Sequence, residues 1–472
     1  MLPELFKTRI KADFDEKEAT NLLESLEQPA TISIRLNPKK TTILPSHYTE
    51  NPVLWWKDGF YLAQRPSFTL DASFWAGAYY VQEASSMFLG EVLEQILPNN
   101  LDKNPVCVLD LCAAPGGKST HISTVIGEKS FLVSNEVIKA RLGILEENMT
   151  RWGNTNYALT SNDAETFGRL EGFFDIVVVD APCSGEGMFR KEENALREWS
   201  EANVQICSSR QKRILADIAP SIKQNGFLVY STCTFNRQEN EDNLHFLVNE
   251  MGFSCVALDL SNFNIQETRE KNLKGEIIGY HFYPHKTQGE GFFVAVLQRN
   301  TFTEGIKFRR QKSRYEELNK KDLAFVRNWL NNADSFSLFS VNKTLVFAVP
   351  KIHEEKFKNL DGYLFMKNFG TLIGEIKGKD FIPSHELAMC DLLASATATA
   401  SADTPLYTCM ALSHEQALDF LRKQPFELDK SQENNPFGWT LATYQNLPLG
   451  WFKRLSGRIN NYYPNNIRIK NL

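Results

Sequence analysis

The sequence predicts an α/β protein organised around a mostly parallel β-sheet. Short apolar runs recur through the middle of the chain, at residues 106–111, 131–135, 157–160, 174–180 and 227–231. Helical patterns fill the intervals between these runs, for example at residues 138–149 and 203–219. Strands that alternate with helices are typical of right-handed βαβ units, which place successive strands parallel in one sheet.

The flanking residues predict further elements around this sheet. Residues 31–37 follow a charged helical start, and their alternation of polar and apolar side chains predicts a half-buried strand. Residues 277–283 and 292–298 predict an antiparallel hairpin that closes the sheet. Beyond it, residues 315–380 predict a mixed αβ region, and the Ala/Ser/Thr-rich residues 394–402 predict a loop.

Two basic segments lie outside the predicted sheet. The stretch from residue 307 to residue 314 is interpreted as a solvated linker, with an RNA contact as the alternative. Its cations are Lys307, Arg309, Arg310, Lys312 and Arg314. After Trp451 the chain carries no acidic residue, and its cations there are Lys453, Arg454, Arg458, Arg468 and Lys470. We divide the chain into four regions, at residues 1–75, 76–300, 301–385 and 386–472.

Composition limits the classes of function. The formal net charge of −5 over 472 residues means that any nucleic-acid surface must be a local patch. We find no apolar run of 18 residues and no secretory signal, so we expect no membrane partner and a cytoplasmic location. The eight cysteines are then thiols, and their scattered positions contain no CxxC pair, so no zinc site is predicted.

Acidic residues follow four of the predicted strands. These residues are Asp110, Glu136, Asp163 and Asp180. In an open α/β sheet, ligands bind at the carboxyl ends of strands, and a carboxylate after the second strand suits a ribose diol. The first strand leads into a small-residue loop, 111–118, whose backbone can approach a ligand closely. A P-loop is the competing interpretation, but Cys112 replaces its first glycine and Pro115 removes an amide donor.

Two cysteines each follow a predicted strand end. Cys183 lies in Asp180-Ala181-Pro182-Cys183, and Cys233 lies in Ser231-Thr232-Cys233-Thr234. Because these two strands are expected to be neighbours, both thiols are expected to face one pocket. The alternative is a pair of buried, inert cysteines, the usual environment of this residue type. Two thiols beside an acidic loop favour covalent catalysis, in which a bond to the enzyme forms and then breaks.

These motifs resemble those of the Sun (Nop2-type) RNA cytosine-C5 methyltransferases. The resemblance rests on LDLCAAPGGK at 109–118, DAPCSG at 180–185 and STCT at 231–234. It extends to SIRLN at 33–37, VQEASS at 81–86, and YPH at 283–285 leading to GEGFF at 289–293. The residues from 438 to 464 more loosely resemble the PUA-like RNA-binding end of the bacterial 16S rRNA methyltransferase F group. Glu83 is a small departure, since many relatives carry aspartate there.

The resemblance implies a Rossmann-like methyltransferase sheet flanked by an N-terminal α+β RNA-binding region and a C-terminal PUA-like domain. It implies that Cys233 is the nucleophile, that Cys183 assists proton removal and product release, and that Asp180 hydrogen-bonds the target base. The Pro182 carbonyl would accept from the exocyclic amine of the base. It further implies S-adenosylmethionine as cofactor, with Glu136 at its ribose and Asp163 at its adenine. The residues expected around its amino-acid portion are Cys112, Ala113, Ala114, Pro115, Gly116, Gly117 and Lys118, with Asp180 close by.

Arg141 and Lys118 are expected to act as supporting cations, and Arg35 and the basic tail to contact phosphates. The expected partner is rRNA, as 16S rRNA or the 30S subunit, bound by a monomer at an unstacked base. Three alternatives remain open at this point. They are an RNA-binding assembly factor with a vestigial methyltransferase domain, an enzyme acting on tRNA or 23S rRNA, and a DNA cytosine methyltransferase.

Overall fold

The computed structural model describes residues 2–41, 51–308, 315–394, 399–401, 404–433 and 436–470. The chain begins with two amphipathic helices, α1 (Glu4–Asp13) and α2 (Glu16–Ser25). A small antiparallel sheet follows, in which β1 (Ile32–Leu36) lies between β2 (Gly59–Leu62) and β3 (Tyr79–Val81). The predicted strand at 31–37 is confirmed, although it is mostly buried rather than half-buried. Two further helices complete this part, α3 (Ala72–Trp75) and α4 (Phe88–Ile96).

Arg35 on β1 does not contact solvent, so the expectation that it binds a phosphate is wrong. Its guanidinium donates to Gln82 Oε1 and to Thr120 Oγ1, each at 2.7 Å, and lies 4.3 Å from the ring centre of Trp152. Its side chain is fully buried, and burial lowers its pKa to about 9. Arg35 therefore joins the N-terminal sheet to the helix that follows the first strand of the central sheet. These tertiary partners are not visible in the sequence.

The central sheet has nine strands in the order β10-β11-β12-β8-β7-β4-β5-β6, with β9 paired to β12. Its strands are β4 (Cys107–Asp110), β5 (Phe131–Asn135), β6 (Tyr157–Thr160), β7 (Phe174–Asp180), β8 (Ile222–Thr232), β9 (Phe253–Cys255), β10 (Gln266–Asn272), β11 (Gly275–Phe282) and β12 (Phe292–Arg299). Its helices are α5 (Gly117–Val125), α6 (Lys139–Trp152), α7 (Ala164–Gly168), α8 (Glu193–Glu198), α9 (Glu201–Ile218) and α10 (Glu241–Glu250). Strands β4 to β8 pair in parallel, and β11 and β12 form the predicted antiparallel hairpin. The predicted α/β class is confirmed.

Successive side chains along the buried strands point to opposite faces of this sheet, and each face packs against its own core. Leu109, Phe131 and Val133 face one core, whereas Val108 and Leu132 face the other. Because both faces are covered, the parallel strands are almost uniformly apolar, which is why the sequence revealed them. Strand β10 was not predicted, since its residues alternate between exposed and half-buried and are mostly charged or polar.

The C-terminal part contains two further sheets that share a core. The first has the order β13-β14-β15-β16-β17, from β13 (Glu316–Glu317), β14 (Phe336–Val341), β15 (Leu345–Pro350), β16 (Thr371–Lys377) and β17 (Asp380–Pro383). It carries α11 (Lys320–Arg327), α12 (Glu354–Asp361) and α13 (His385–Met389). The predicted mixed αβ region is confirmed. Trp329, which follows α11, and Phe381 on β17 share a core with Trp439 and Trp451 of the last sheet.

The last sheet has the order β20-β21-β22-β23, from β20 (Thr408–Ala411), β21 (Gly438–Tyr444), β22 (Leu447–Leu455) and β23 (Arg458–Asn461), with α14 (His414–Arg422) and α15 (Lys430–Glu433). Between residues 394 and 402 the prediction of a loop is wrong in part, because β18 (Thr399–Ser401) pairs with β19 (Thr404–Pro405); residues 395–398 and 402 lie outside the described residues.

The described residues include only part of the two basic segments. Arg309, Arg310, Lys312 and Arg314 lie outside them. In the basic tail Arg458, Arg468 and Lys470 are exposed, whereas Arg454 is buried, so the expectation of a phosphate contact is wrong for Arg454. None of the helices in the described ranges combines the length and apolar character that a membrane span requires.

Candidate active site

The carboxyl ends of β4, β7 and β8 surround one cavity of about 380 Å³. Strands β5 and β7 flank β4 on opposite sides, so the chain order reverses at β4 and opens a crevice at its end. All residues of the 112–118 loop except Gly116 line the cavity, together with Arg141, Asp180 and Cys233. The structure therefore brings together three motifs that are far apart in the sequence.

The loop after β4 is fixed against the end of β5. The Ala113 amide donates to the Asn135 carbonyl at 2.8 Å, and Asn135 Nδ2 donates to the Leu111 carbonyl at 3.0 Å. Gly116 has a φ of 115°, a conformation that side chains disfavour. Helix α5 begins directly after it, and within the described residues no side chain caps its first turn. Its first backbone amides are therefore suited to an anionic group such as a carboxylate.

Lys118 and Asp180 form an ion pair at the cavity wall. Lys118 Nζ lies 2.7 Å from Asp180 Oδ2, and Ser231 Oγ donates to Asp180 Oδ1 at 2.8 Å. Burial alone would lower the pKa of Lys118, but the Asp180 carboxylate outweighs burial and raises it. Lys118 is thus held as a cation, and the Asp180 side chain, 34% exposed, still presents surface to the cavity.

Glu136 lies beside the cavity rather than in its wall. Its carboxylate accepts from the Ile138 amide at 2.8 Å and is almost fully buried. Arg141 lies 3.5 Å from the same carboxylate and donates to the Ala114 carbonyl at 2.6 Å. Arg141 therefore connects the acidic residue after β5 to the loop after β4.

Asp163 lies farther out and already has partners. It caps α7 by accepting from the Glu165 amide at 3.2 Å, and Arg213 Nη1 lies 3.0 Å from its Oδ1. The pKa of Asp163 is lowered, chiefly by the hydrogen bond from Arg213. Its side chain is 45% exposed, so the carboxylate remains accessible.

The region after residue 301 reaches the same corner of the sheet. The Lys367 amide donates to the Leu159 carbonyl at 2.7 Å, and the Ser161 amide donates to the Phe365 carbonyl at 3.1 Å. Residues 365–368 thus cover the outer edge of β6, directly before the loop that carries Asp163.

The two predicted thiols lie in contact. Strands β7 and β8 are parallel neighbours with Asp180 opposite Ser231, so the loops after them meet. The Cys183 and Cys233 Sγ atoms are 2.8 Å apart, and the Cys233 amide lies 3.3 Å from Cys183 Sγ. Both cysteines are free thiols and neither is fully buried. Cys233 lines the cavity, whereas Cys183 contacts Cys233 and is not a lining residue, so the expectation that both thiols face one pocket is confirmed for Cys233 alone.

The environment of Cys183 disfavours its thiolate. Its pKa is raised well above the usual range, first by its hydrogen bond with Cys233 and then by burial. The charges of Cys233 and Glu239 act in the same direction. Burial raises the pKa of Cys112 as well, which disfavours its thiolate, and Cys112 lines the cavity.

Several wall residues were not predicted as site residues. These are Tyr80, Val81, Gln82, Glu83, Ser86, Met188, Lys191, Glu192, Gly291 and Phe292. The VQEASS and GEGFF motifs carry several of them, so the signal was present in the sequence. Glu83 accepts from the Glu290 amide at 2.8 Å, which joins those two motifs. A Cβ added at Gly291 would lie 2.5 Å from the Gly187 Cα, so the hairpin packs closely on the loop after Cys183.

The residues around the cavity fit S-adenosylmethionine. The donors at the start of α5 suit its carboxylate, and the Glu136 carboxylate suits hydroxyl groups of a ribose. Asp110 Oδ1 is buried and finds no hydrogen-bond partner in the part of the chain that is described. Burial raises the pKa of Asp110 to about 7. The carboxyl group therefore carries a proton below that pH and is able to donate a hydrogen bond.

Comparisons with known proteins agree with this geometry. A family model described as 16S rRNA methyltransferase RsmB/F matches residues 96–298. Models of the N-terminal domain of 16S rRNA methyltransferase RsmF and of the methyltransferase RsmF PUA domain match residues 2–84 and 407–469. Ribosomal RNA small subunit methyltransferase F of Aliivibrio salmonicida is 30% identical over 98% of this chain and 97% of that protein. The Vibrio vulnificus protein of the same name is 29% identical over 100% and 98%.

Two solved structures share the fold. A methyltransferase homolog from Pyrococcus horikoshii is 26% identical, with a TM-score of 0.53, over 63% of this chain and 95% of that chain. NSun6 from Pyrococcus horikoshii has a TM-score of 0.50 and 20% identity over 63% and 98% of the two chains. At that identity the second likeness concerns the fold alone.

Proposed function

The chain belongs to the RsmB/F family of 16S rRNA methyltransferases, and on this premise we propose that it methylates C5 of cytosine in small-subunit rRNA. The methyl donor is S-adenosylmethionine. The observation that carries the proposal is the contact between Cys183 and Cys233 at the ends of neighbouring strands, beside a cavity that Asp180 and Cys233 line. Two adjacent thiols suit a reaction that forms a covalent bond to the base and later breaks it.

Cys233 is the nucleophile in this proposal. Cytosine C5 is a poor nucleophile, so a direct methyl transfer to it is slow. Addition of the Cys233 thiolate to C6 forms an S–C6 bond and places electron density on C5. When bound, S-adenosylmethionine supplies an electrophilic methyl group on a sulfonium centre. The position of Cys233 in the cavity wall lets its sulfur reach a base that enters there.

Cys183 acts after the methyl group has reached C5. The C5 proton must then leave, and its bonding electrons restore the C5–C6 double bond as the S–C6 bond breaks. Cys183 Sγ lies 2.8 Å from Cys233 Sγ, so its thiol is placed to give its own proton to the departing Cys233 sulfur as it takes up the C5 proton. A separate thiol is needed because the nucleophile is occupied during this step.

Asp180 and the Pro182 carbonyl orient the base. Asp180 is anchored by Lys118 and Ser231, which leaves its exposed surface free to accept from a protonated N3. The Pro182 carbonyl already accepts from Gln211 Nε2 at 3.1 Å, and a carbonyl oxygen has a second lone pair for the exocyclic amine. Uracil, which has no amine at that position, would leave that lone pair unused.

The cofactor is held across the strand ends of the sheet. Residues 112–118 hold its amino-acid portion, Glu136 its ribose and Asp163 its adenine, while Arg141 supports Glu136. The contact between Arg141, Glu136 and Ala114 supports this order, because it joins the first two subsites. Asp163 must share its carboxylate between the adenine and Arg213.

We place the rRNA across the catalytic sheet and the C-terminal PUA domain. The exposed Arg458, Arg468 and Lys470 are suited to phosphate contacts. The target base must leave its stack to enter the cavity, so an accessible region of 16S rRNA or of the 30S subunit is the proposed substrate. We retain the division at residues 75, 300 and 385 and a monomeric enzyme as part of this proposal.

The test is transfer of labelled methyl from S-adenosylmethionine to 16S rRNA, 23S rRNA, tRNA and 30S subunits, with Cys233→Ala as control. We expect label as 5-methylcytosine in 16S rRNA or 30S subunits, and none with the variant. Label confined to tRNA or 23S rRNA would contradict the substrate. Cofactor binding without transfer to any RNA would favour an assembly factor.

A further inference from the structure

The loop that carries Cys183 is hydrogen-bonded to the buried carboxylate of Glu239, which does not line the cavity. Glu239 follows the Ser231–Thr234 motif and has no exposed surface. Its Oε2 accepts from the Ser184 amide at 2.9 Å, and its Oε1 accepts from Ser184 Oγ at 2.5 Å. Both acceptor atoms of Glu239 therefore hold the residue directly after Cys183.

Gln211 on α9 holds the residue before Cys183. Its Nε2 donates to the Pro182 carbonyl at 3.1 Å and to Glu239 Oε2 at 2.9 Å. Asn243 Nδ2 in turn donates to Gln211 Oε1 at 2.9 Å, which fixes the orientation of the amide. Glu239 and Gln211 thus clamp the Cys183 loop on both sides.

The same clamp reaches the nucleophile. Ser184 Oγ lies 3.0 Å from Thr234 Oγ1, the hydroxyl of the residue after Cys233. Tyr230, on the strand that leads to Cys233, donates from its hydroxyl to the Glu239 carbonyl at 2.5 Å. Glu239 therefore contacts the segment that carries Cys183 directly, and the segment that carries Cys233 through Ser184 and Tyr230.

We propose that Glu239 is the positioning residue of Cys183, and that its buried charge disfavours the Cys183 thiolate so that attack on C6 is left to Cys233. This inference rests on the proposed function, because it explains why only one of two touching thiols acts as the nucleophile. The two sulfur atoms are 2.8 Å apart, so a base that enters the cavity beside Cys233 also comes close to Cys183.

The charges around Glu239 support this role. Throughout the described ranges, no lysine, arginine or histidine pairs with Glu239, so its charge is not neutralised nearby. The titratable groups that face it are Glu186, Cys183, Cys207 and Tyr230. Burial raises the pKa of Glu239 to about 7, so the group is largely ionised above that pH. A buried negative charge beside a thiol raises the thiol's pKa.

Glu239→Gln separates the charge from the clamp. The glutamine oxygen can take the place of Oε2 and accept from the Ser184 amide and Gln211. Its amide nitrogen can donate to Ser184 Oγ, whose hydroxyl then turns toward Thr234 Oγ1. The hydrogen bonds are kept with one reversed, so we expect the variant to fold and to lose only the charge. Circular dichroism and thermal unfolding check that expectation.

The measurement is the pH dependence of iodoacetamide alkylation at Cys183, followed on its peptide by mass spectrometry. It uses the full chain with Cys233→Ala, so that only one thiol of the pair reacts. Adding Glu239→Gln should move the alkylation curve of Cys183 to lower pH by about one unit. Gln211→Met is the matched control. It removes the hydrogen bonds to the Pro182 carbonyl and to Glu239 Oε2 but keeps the Glu239 carboxylate, which is ionised in the alkaline range where a thiol titrates, so it should leave the curve in place.

A second control is Glu186→Gln, which removes an equally buried carboxylate that is paired with Arg9 at 2.7 Å. It should leave the Cys183 curve unchanged. The proposal is overturned if Glu239→Gln leaves the curve where it was, or if Gln211→Met moves it equally. Alkylation does not require methyl transfer, so this failure is distinct from that of the proposed function, which fails if Cys233→Ala retains activity.

Discussion

The two ends of the site differ in what their polar groups contact. At the ends of β7 and β8, the thiols are held by a buried network of Ser184, Gln211 and Glu239. At the ends of β5 and β6, Glu136 contacts a neighbouring amide and Asp163 caps a helix and pairs with exposed Arg213. The loops that carry the thiols are therefore fixed by buried contacts, whereas the carboxylates proposed to hold the adenosine also serve local partners.

The largest expected effect lies at the thiol end. Cys233→Ala should lower methyl transfer by about four orders of magnitude or more, because no other group forms the S–C6 bond. Binding of S-adenosylmethionine, measured by calorimetry, should be unchanged. Cys207→Ala, at a buried cysteine on α9, is the control and should retain transfer. Substantial activity in the Cys233 variant would show that another group forms the bond to C6.

A smaller effect is expected at Glu136. Glu136→Gln removes charge-assisted hydrogen bonds to the ribose, each worth about 1.5–3 kcal/mol, so the Kd for S-adenosylmethionine should rise about ten- to a hundredfold. Turnover at saturating cofactor should change little, because the thiol end is intact. Calorimetry with Glu165→Gln, an acidic residue in the first turn of α7, gives the control. An unchanged Kd for S-adenosylmethionine would mean that Glu136 pairs with Arg141 but does not bind the cofactor.

The contribution of Asp110 to stability is expected to depend on pH. Its pKa in the folded protein is about 7, above the unfolded value, so its contribution to stability is complete below the unfolded pKa and is lost as pH rises through 7. Relative to Asp110→Asn, the wild type should lose up to about 1.4 kcal/mol of unfolding free energy per pH unit between pH 5 and 7. Urea unfolding at several pH values measures this difference. If the difference in unfolding free energy between the wild type and Asp110→Asn did not change with pH, the raised pKa of Asp110 would be contradicted.

The smallest effect is expected at Asp163. Asp163→Ala removes the cap of α7, which costs about 1 kcal/mol of stability, and an exposed ion pair that contributes little. The Kd for S-adenosylmethionine should rise only about fivefold, the equivalent of about 1 kcal/mol. Arg213→Ala separates the two roles, because it frees the carboxylate while keeping the cap. A rise in Kd at Asp163 as large as that at Glu136 would show that the outer subsite is as well formed as the inner one.

Sequence patterns predicted the parallel strands because both faces of the sheet are buried. Residues 174–180 coincide with β7, whereas β8 begins five residues earlier than predicted, since Lys223, Gln224 and Asn225 at its start are polar. The motifs located the cavity because three loops converge at the same edge of the sheet. Arg35 and Glu239 could not be placed, because their roles depend on partners such as Trp152 and Ser184 that only the tertiary structure brings near.

In the proposed reaction Cys233 forms the covalent bond to cytosine and Cys183 releases it. The most direct measurement incubates Cys183→Ala with labelled 16S rRNA and S-adenosylmethionine, and then resolves protein-bound RNA on a denaturing gel. We predict a covalent RNA–protein band for Cys183→Ala and no such band for the Cys183→Ala/Cys233→Ala double variant. A band that persists in the double variant, or normal turnover by Cys183→Ala without any band, would contradict the account.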